Sequence, residues 1–225
     1  MAAQKPKPGA YTEIERKFDV VESTLLPSFD GLTAITRTQR LSTQSLDAVY
    51  FDTPAHDLAR NKITLRRRTG GTDAGWHLKL PAGNDTRTEL RAPLTDDDAV
   101  PTELRDVVLA IVRDRPLAPV ARISTTRNVE LLFGADDNAV AEFCDDQVTA
   151  SAGDDAQQWR EWELELAGNC RDVDLLTRLG NRLLDAGATP AGHGSKLARV
   201  LNTVSPEKPA RPADPGRDGR RERSP

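Results

Sequence analysis

Several segments of this sequence place charged side chains at every second position. The carboxylates in these segments are Glu13, Glu15, Glu161, Glu163 and Glu165. The bases are Lys17, Arg66, Arg68, Arg87 and Arg91. Because alternate side chains of a strand point to the same face, each segment would present its charges to one side of a sheet. Acid-lined and base-lined strands that face one space could bind a polyanion together with its metal ions.

The residue types narrow the chemistry of such a space. Two acidic strands would repel each other unless cations lay between them. Carboxylate ligands without histidine or cysteine suit hard ions, so we expect Mg²⁺ or Mn²⁺. Arginine side chains match phosphate oxygens in a bidentate fashion, and several of them in one tunnel could span three linked phosphates. The sequence has neither a phosphate loop nor a Ser-His-Asp arrangement, so water or a substrate hydroxyl is the expected nucleophile.

Turns and short apolar alternations predict the elements that carry these residues. The predicted strands are 11–20, 34–43, 45–52, 62–69, 76–80, 86–92, 121–133, 139–149 and 158–166. The predicted helices are 102–113, 172–186 and 194–202, with a helical turn within 54–61. This pattern indicates an α+β fold that is mainly antiparallel β, namely an eight-stranded closed β-barrel. Its interior would be charged, and the helices would pack on the outside.

Length and composition limit the classes of protein. The 225 residues predict one domain at 11–203, with a disordered N-terminus at 1–10 and a disordered tail at 204–225. A net charge of −4 and an aromatic content of 4% argue against a nucleic-acid partner. No apolar run is long enough for a membrane span, and residues 1–10 lack the apolar segment of a signal peptide. Cys144 and Cys170 are interpreted as free thiols, so we expect a cytoplasmic protein.

The segment Glu13-Ile14-Glu15-Arg16-Lys17 resembles the ExExK signature of the CYTH superfamily, the triphosphate tunnel metalloenzymes. Further matching segments follow in the expected order: Tyr50-Phe51-Asp52-Thr53, Leu65-Arg66-Arg67-Arg68, Trp76-His77-Leu78-Lys79-Leu80-Pro81, Arg87-Thr88-Glu89, Thr126-Arg127, Asp145-Asp146, the 161–165 strand and Gly194-Ser195-Lys196-Leu197-Ala198-Arg199. The resemblance covers about residues 11–203. It implies an eight-stranded antiparallel tunnel that binds triphosphate with divalent metal.

The resemblance also implies roles for single residues. The implied metal ligands are Glu13, Glu15, Asp145, Glu163 and Glu165, with Glu161 and Glu142 as weaker candidates. The implied triphosphate ligands are Lys17, Arg66, Arg68, Lys79, Arg87, Arg127 and Lys196. The implied catalytic set is Glu13, Glu15, Lys17, Arg66, Arg68, Lys79, Arg127 and Lys196.

Some positions have two interpretations. Strict alternation from Arg122 places that residue and Arg127 on opposite faces. The family pattern favours Arg127 as the inward arginine, and a bulge would reconcile the two. Asp52 is expected to cap the following helical turn rather than bind metal. Glu89 could pair with a tunnel arginine or touch an ion, and His77 is expected to be structural.

Taken together, the residues and the resemblance predict metal-dependent hydrolysis of a triphosphate, first of all inorganic triphosphate to pyrophosphate and phosphate. Three alternatives stay open: a class IV-type adenylate cyclase, a thiamine triphosphatase, and a non-catalytic module that binds polyphosphate or nucleotides. The expected partner is a small-molecule triphosphate, without nucleic acid or membrane. The expected oligomeric state is a monomer or a homodimer.

Overall fold

The computed structural model describes residues 9–95, 97–168 and 170–201. The strands are β1 Gly9–Val20, β2 Arg37–Arg40, β3 Gln44–Asp52, β4 Thr64–Thr69, β5 Gly75–Pro81, β6 Thr86–Ala92, β7 Ala118–Phe133, β8 Ala139–Ala152, β9 Asp155–Leu166 and β10 Thr189–Pro190. The helices are α1 Asp57–Arg60, α2 Thr102–Val112, α3 Val173–Asp185 and α4 Lys196–Val200.

Eight of these strands close into an antiparallel barrel. Their order around the barrel is β1-β6-β5-β4-β3-β7-β8-β9, and β9 pairs with β1 to complete the ring. Closure depends on β1, because its residues 9–14 pair with β6 and its residues 15–20 pair with β9. The short strands β2 and β10 extend β7 and β1 outside this ring. The predicted fold class is therefore confirmed.

The limits of several predicted elements were wrong. The first strand begins at Gly9, because Gly9 and Ala10 pair with β6, so these two residues are not disordered as predicted. The strand predicted at 34–43 is restricted to β2, whose four residues pair only with the far end of β7. The short strand β10 was not predicted. The disorder predicted for residues 1–8 and 204–225 lies outside the described residues.

The apolar faces of helices α2 and α3 pack against apolar side chains on the outer faces of the strands. On one side of the barrel, Leu176 and Leu179 of α3 pack against Trp162 and Leu164 of β9. On the other side, helix α2 packs through its own leucine and valines against β4 and β5. A fully buried side chain of this kind contributes roughly 1.5–3 kcal/mol, so the outer faces hold the barrel together. The inner faces are thereby free to carry charge.

Helix α4 is packed differently, since it closes one end of the barrel. Its Leu197 and Val200 lie among Tyr50, Ile123 and Val148, whose side chains point into the barrel. Lys196 at the start of α4 is buried and points into the same interior. Within the described residues, no helix combines the length and apolar character needed to cross a membrane.

Candidate functional site

A cavity of about 380 Å³ runs into the barrel and is lined mainly by charged side chains. Asp145 and the weaker candidate Glu161 do not line it. The other predicted site residues do, namely Glu13, Glu15, Lys17, Arg66, Arg68, Lys79, Arg87, Arg127, Glu142, Glu163, Glu165 and Lys196. Strand alternation explains this result, because each of these strand residues shares the inward parity of its strand. The structure thus brings the predicted residues together, while their roles stay predictions.

Asp145 points to the outer face of the barrel. Its carboxylate accepts hydrogen bonds from Arg160 Nε at 2.7 Å and Trp162 Nε1 at 3.0 Å. The neighbouring Asp146 points inward instead, where it contacts Arg127 and Lys196. The prediction that Asp145 faces the tunnel was therefore wrong, and the inward aspartate of this pair is Asp146. The alternation of β8 could have predicted the outward direction of Asp145. Phe143, two positions before it, belongs to the outer apolar face of the same strand.

Arg127 is the inward arginine of β7, and Arg122 is exposed to solvent. No bulge separates the two residues, since β7 pairs with β8 in continuous register from Arg122 to Leu132. Simple alternation puts Arg127 on the same side as Ile123 and Thr125. The bulge considered for this strand is absent and is not needed.

Three of the inward carboxylates form a group that we call the closed cluster: Asp146, Glu161 and Glu163. Their oxygen atoms lie within 4.8 Å of one another. The ammonium group of Lys196 lies among them, at 2.7 Å from Asp146, 2.6 Å from Glu161 and 2.8 Å from Glu163. The charge that a metal ion would supply here is already supplied by a lysine.

The electrostatics of the closed cluster follow from this lysine and its neighbours. Burial alone would raise the pKa of Asp146, but Arg127 and Lys196 outweigh burial and lower that pKa. Burial is likewise outweighed at Glu163, where Lys17 at 2.6 Å and Lys196 hold the pKa well below its usual value. These carboxylates are therefore ionised in the folded protein.

A second group of carboxylates, which we call the open cluster, consists of Glu13, Glu15, Glu142 and Glu165. Glu165 lies directly across from Glu15 on β1 and from Glu142 on β8. Among the described residues, no lysine or arginine nitrogen lies within 4.0 Å of the Glu165 carboxylate. Burial raises the pKa of Glu165 to about 8, and the other three carboxylates add to the effect against the opposing charge of Lys79.

The donor type of the open cluster suits a hard divalent cation, although among the described residues only the closed cluster brings three carboxylate oxygens within 4.8 Å of one another. Its donors are carboxylate oxygens, which Mg²⁺ and Mn²⁺ prefer. Glu13 is paired with Lys79 at 2.6 Å, and Glu15 is paired with Lys17 at 2.9 Å and Arg87 at 3.2 Å. A cation at Glu165 would relieve the repulsion that these partners leave uncompensated.

The opposite wall of the cavity is basic. Arg66 on β4 has no carboxylate partner within 4.0 Å among the described residues, and its Nη1 donates to the Tyr50 hydroxyl at 3.3 Å. The Nε atoms of Arg66 and Arg68 are buried without a hydrogen-bond acceptor. Since buried N–H groups are almost always paired, these guanidinium groups are arranged to receive an anion. The sequence analysis did not predict Tyr50 as a site residue. It named Tyr50 only as part of the matching segment Tyr50-Phe51-Asp52-Thr53.

The remaining predictions concern structural residues. Asp52 accepts hydrogen bonds from the backbone nitrogens of Leu58 and Ala59, both at 2.9 Å, so its role as a cap is confirmed. His77 is buried, and its Nδ1 lies 2.8 Å from Glu89. Glu89 also pairs with Arg91, which agrees with the first of its two interpretations. Both cysteines are free thiols, as expected.

Comparison with known proteins now places the chain in a family. The profile of the CYTH domain matches residues 11–180. The chain belongs to the CYTH domain family. Uncharacterized proteins from two strains of Mycobacterium tuberculosis, CDC 1551 and H37Rv, are each 63% identical to this CYTH domain over 221 residues. The match covers 92% of this chain and 43% of each relative, so the chain spans less than half the length of these relatives.

Solved structures share the fold of this CYTH domain. A putative adenylate cyclase from Bacillus halodurans superposes with a TM-score of 0.58 at 17% identity, covering 85% of this chain and 98% of that one. A putative adenylyl cyclase from Hippeastrum, described as having a dominant triphosphatase activity, gives a TM-score of 0.50 at 17% identity, covering 87% and 97%. At this level of identity the likeness shows the tunnel fold alone.

Proposed function

We propose that this CYTH domain hydrolyses a triphosphate in its tunnel with the help of a divalent metal ion, and that inorganic triphosphate is the preferred substrate. One observation carries the proposal: the cavity holds two guanidinium groups whose buried Nε atoms lack an acceptor on one wall, and on the other wall a carboxylate without a lysine or arginine partner among the described residues. A polyanion with an accompanying Mg²⁺ or Mn²⁺ ion satisfies both walls at once.

The basic side chains would bind and orient the substrate. Arg66 and Arg68 offer Nε–H donors that have no acceptor. Arg127 offers a fork that already donates to Asp146 and Glu163, and Lys79 and Lys196 add point charges. A chain of linked phosphates held along these bases would be fixed with its terminal phosphorus in one position. Such positioning and charge stabilisation account for most of the catalysis in phosphoryl transfer.

The acidic wall would hold the metal ion. Glu13, Glu15 and Glu165 are the proposed ligands, and the bound cation would neutralise charge on the phosphate oxygens. In the reaction, a water oxygen forms a bond to the terminal phosphorus as the bond to the bridging oxygen breaks. Pyrophosphate leaves with the electron pair of that bond, and the attacking water releases a proton to bulk water. The fixed basic side chains stabilise the charge on the departing oxygen.

The lining of the tunnel favours an inorganic substrate. Tyr50 is the only aromatic side chain among the described lining residues, and it is buried with its hydroxyl hydrogen-bonded to Arg66, so the tunnel offers a nucleobase or a thiamine ring little surface for stacking. The carboxylates of both acidic strands are also in place, which favours an enzyme over a binding module. The free thiols favour a cytoplasmic setting, where we propose that the domain acts on small molecules as a monomer or a homodimer.

The test is phosphate release from inorganic triphosphate, ATP and thiamine triphosphate, each with Mg²⁺ or Mn²⁺. The wild type is compared with the double variant Glu13→Gln/Glu15→Gln. We expect metal-dependent turnover of inorganic triphosphate that the double variant loses. Formation of cyclic AMP with pyrophosphate would instead identify a cyclase, and tight triphosphate binding without turnover would leave the binding module.

A further inference from the structure

One acidic residue lies where an anion would have to enter the tunnel. Asp73 belongs to the turn that joins β4 to β5 and lines the cavity. Its carboxylate pairs with Arg68 and lies 3.8 Å from Arg91 Nη2. The side chain of Asp73 is 32% exposed, whereas that of Arg68 is 7% exposed, so Asp73 is at the rim and Arg68 is inside.

The turn holds Asp73 firmly at this rim. Gly70 and Gly71 both have a positive φ, and a Cβ atom on Gly70 would lie 2.0 Å from the carbonyl oxygen of Ser45. Only glycine therefore allows the turn to pack this closely against β3. The backbone oxygen of Asp73 also accepts a hydrogen bond from His77 Nε2 at 2.9 Å, and His77 is itself held by Glu89. The backbone of Asp73 is thus fixed from inside the barrel, and its carboxylate is held by Arg68.

The two inward arginines of β4, Arg66 and Arg68, differ because of this carboxylate. Arg66, the deeper of the two, has no carboxylate partner within 4.0 Å among the described residues. Arg68, one inward position closer to the turn, is already paired with Asp73. Along this basic wall, a phosphate chain anchored at the deep bases would pass Arg66 and then Arg68 before it reached Asp73, while the carboxylates of the open cluster lie on the facing wall. The next phosphate outward would lie against a fixed negative charge.

We propose that Asp73 is a specificity-determining residue that limits the length of the phosphate chain in the tunnel. A linear triphosphate fits between the deep bases and the rim, and a longer chain is rejected by repulsion from the Asp73 carboxylate. This inference rests on the proposed triphosphate ligand. It does not depend on hydrolysis, because repulsion acts on binding.

The experiment is calorimetric titration of the protein, without metal, with inorganic triphosphate and with linear tetraphosphate. The variant is Asp73→Asn, which keeps the shape and removes the charge. Asp98→Asn is the matched control, because Asp98 pairs with Arg67 at 3.2 Å on the outer face of the same strand. We expect Asp73→Asn to reduce the preference for triphosphate over tetraphosphate by about tenfold, mainly through tighter tetraphosphate binding. The control should leave both affinities unchanged.

Equal strengthening of both ligands by Asp73→Asn would overturn the proposal, because a general loss of negative charge would explain it. Weaker binding of both triphosphate and tetraphosphate would also overturn the proposal. It would show that Asp73 holds Arg68 in position for binding. Wild-type protein that binds neither phosphate removes the ligand on which the inference rests. Binding with the expected shift, but without turnover, would support Asp73 and contradict only the proposed hydrolysis. If Asp73→Asn unfolds in thermal denaturation, Asp73→Ser provides the same comparison.

Discussion

The closed and open clusters are neighbours on β9, yet they are neutralised in different ways. Glu161 and Glu163 of the closed cluster meet the ammonium group of Lys196, which α4 carries into the barrel. Glu165 of the open cluster is one inward position further along the same strand and has no such partner among the described residues. Buried carboxylates alone therefore do not indicate a metal site. What distinguishes a metal site is negative charge that the protein leaves without its own cation.

Removing Lys196 should leave the closed cluster without its cation, as the open cluster is at Glu165. Lys196→Met leaves three buried carboxylates without their common partner, and breaking a buried pair in this way costs about 3–5 kcal/mol of the free energy of unfolding. We expect urea denaturation to show this loss in metal-free protein. Added Mn²⁺ should restore part of the stability of the variant by binding among the three carboxylates. Stability equal to that of the wild type would show that Lys196 does not neutralise the cluster.

The open cluster should respond to pH in the metal-free protein. The pKa of Glu165 is about 8 in the folded state against 4.5 for an ordinary glutamate. Its contribution to stability is therefore fully present below pH 4.5 and is lost as the pH rises through 8. Glu165→Gln cannot ionise, so at pH 9 it should be more stable than the wild type by on the order of 2–4 kcal/mol.

Urea denaturation in EDTA at pH 4 and at pH 9 measures this effect of Glu165→Gln. Glu22→Gln is a suitable control, because Glu22 is exposed and lies outside the tunnel. The same stability difference at both pH values would contradict the assignment of an uncompensated carboxylate at Glu165.

The adjacent aspartates Asp145 and Asp146 are expected to have different roles, Asp145 in the stability of the barrel and Asp146 in turnover. Asp145→Asn weakens the contact with Arg160, which also binds the backbone oxygens of Val21, Glu22 and Thr24. It should cost about 1–2 kcal/mol of stability and leave triphosphate turnover unchanged in the folded fraction. Asp146→Asn should lower turnover. Phosphate release measures turnover in both variants, and urea denaturation measures their stability. Loss of turnover in Asp145→Asn alone would contradict the assignment of Asp146 to the tunnel and of Asp145 to the outer face.

The smallest change in the free energy of unfolding is expected for an ion pair on the outside of the barrel. Asp98→Asn removes the partner of Arg67, but Asp98 is 82% exposed and the pair is screened by water. The change in the free energy of unfolding should be below about 0.5 kcal/mol. A loss as large as that of Lys196→Met would mean that burial does not explain the difference between charges inside and outside the tunnel.

Alternation predicted the inward face wherever charged and apolar residues alternate without interruption. Glu13, Glu15 and Lys17 are separated by Ile14 and Arg16 and followed by Phe18, so the phase of β1 is readable from the sequence. The pair Asp145-Asp146 places an acid on each face of β8, and the choice then depends on the phase set by Phe143. Pairing outside the barrel, as in β2 and β10, depends on neighbours that the sequence does not identify.

Two features of the site depend on contacts between distant parts of the chain. Lys196 enters the closed cluster because α4 packs into the end of the barrel through Leu197 and Val200. A five-residue helix carries no periodic signal of where it packs, and only the resemblance to the family pointed to this lysine. Asp73 reaches Arg68 because Gly70 and Gly71 turn the chain back over the rim. Such a turn is readable from the two glycines, but the pairing that it produces is not.

The most direct test of the account is the position of a bound metal ion. Crystals of the protein soaked with Mn²⁺ would be measured at the manganese absorption edge, and an anomalous difference map would locate the ion. We predict a peak beside the carboxylates of Glu165 and of Glu13 or Glu15, with Lys196 still among Asp146, Glu161 and Glu163. A peak inside that closed cluster with Lys196 displaced, or no peak at the open cluster under saturating Mn²⁺, would contradict it.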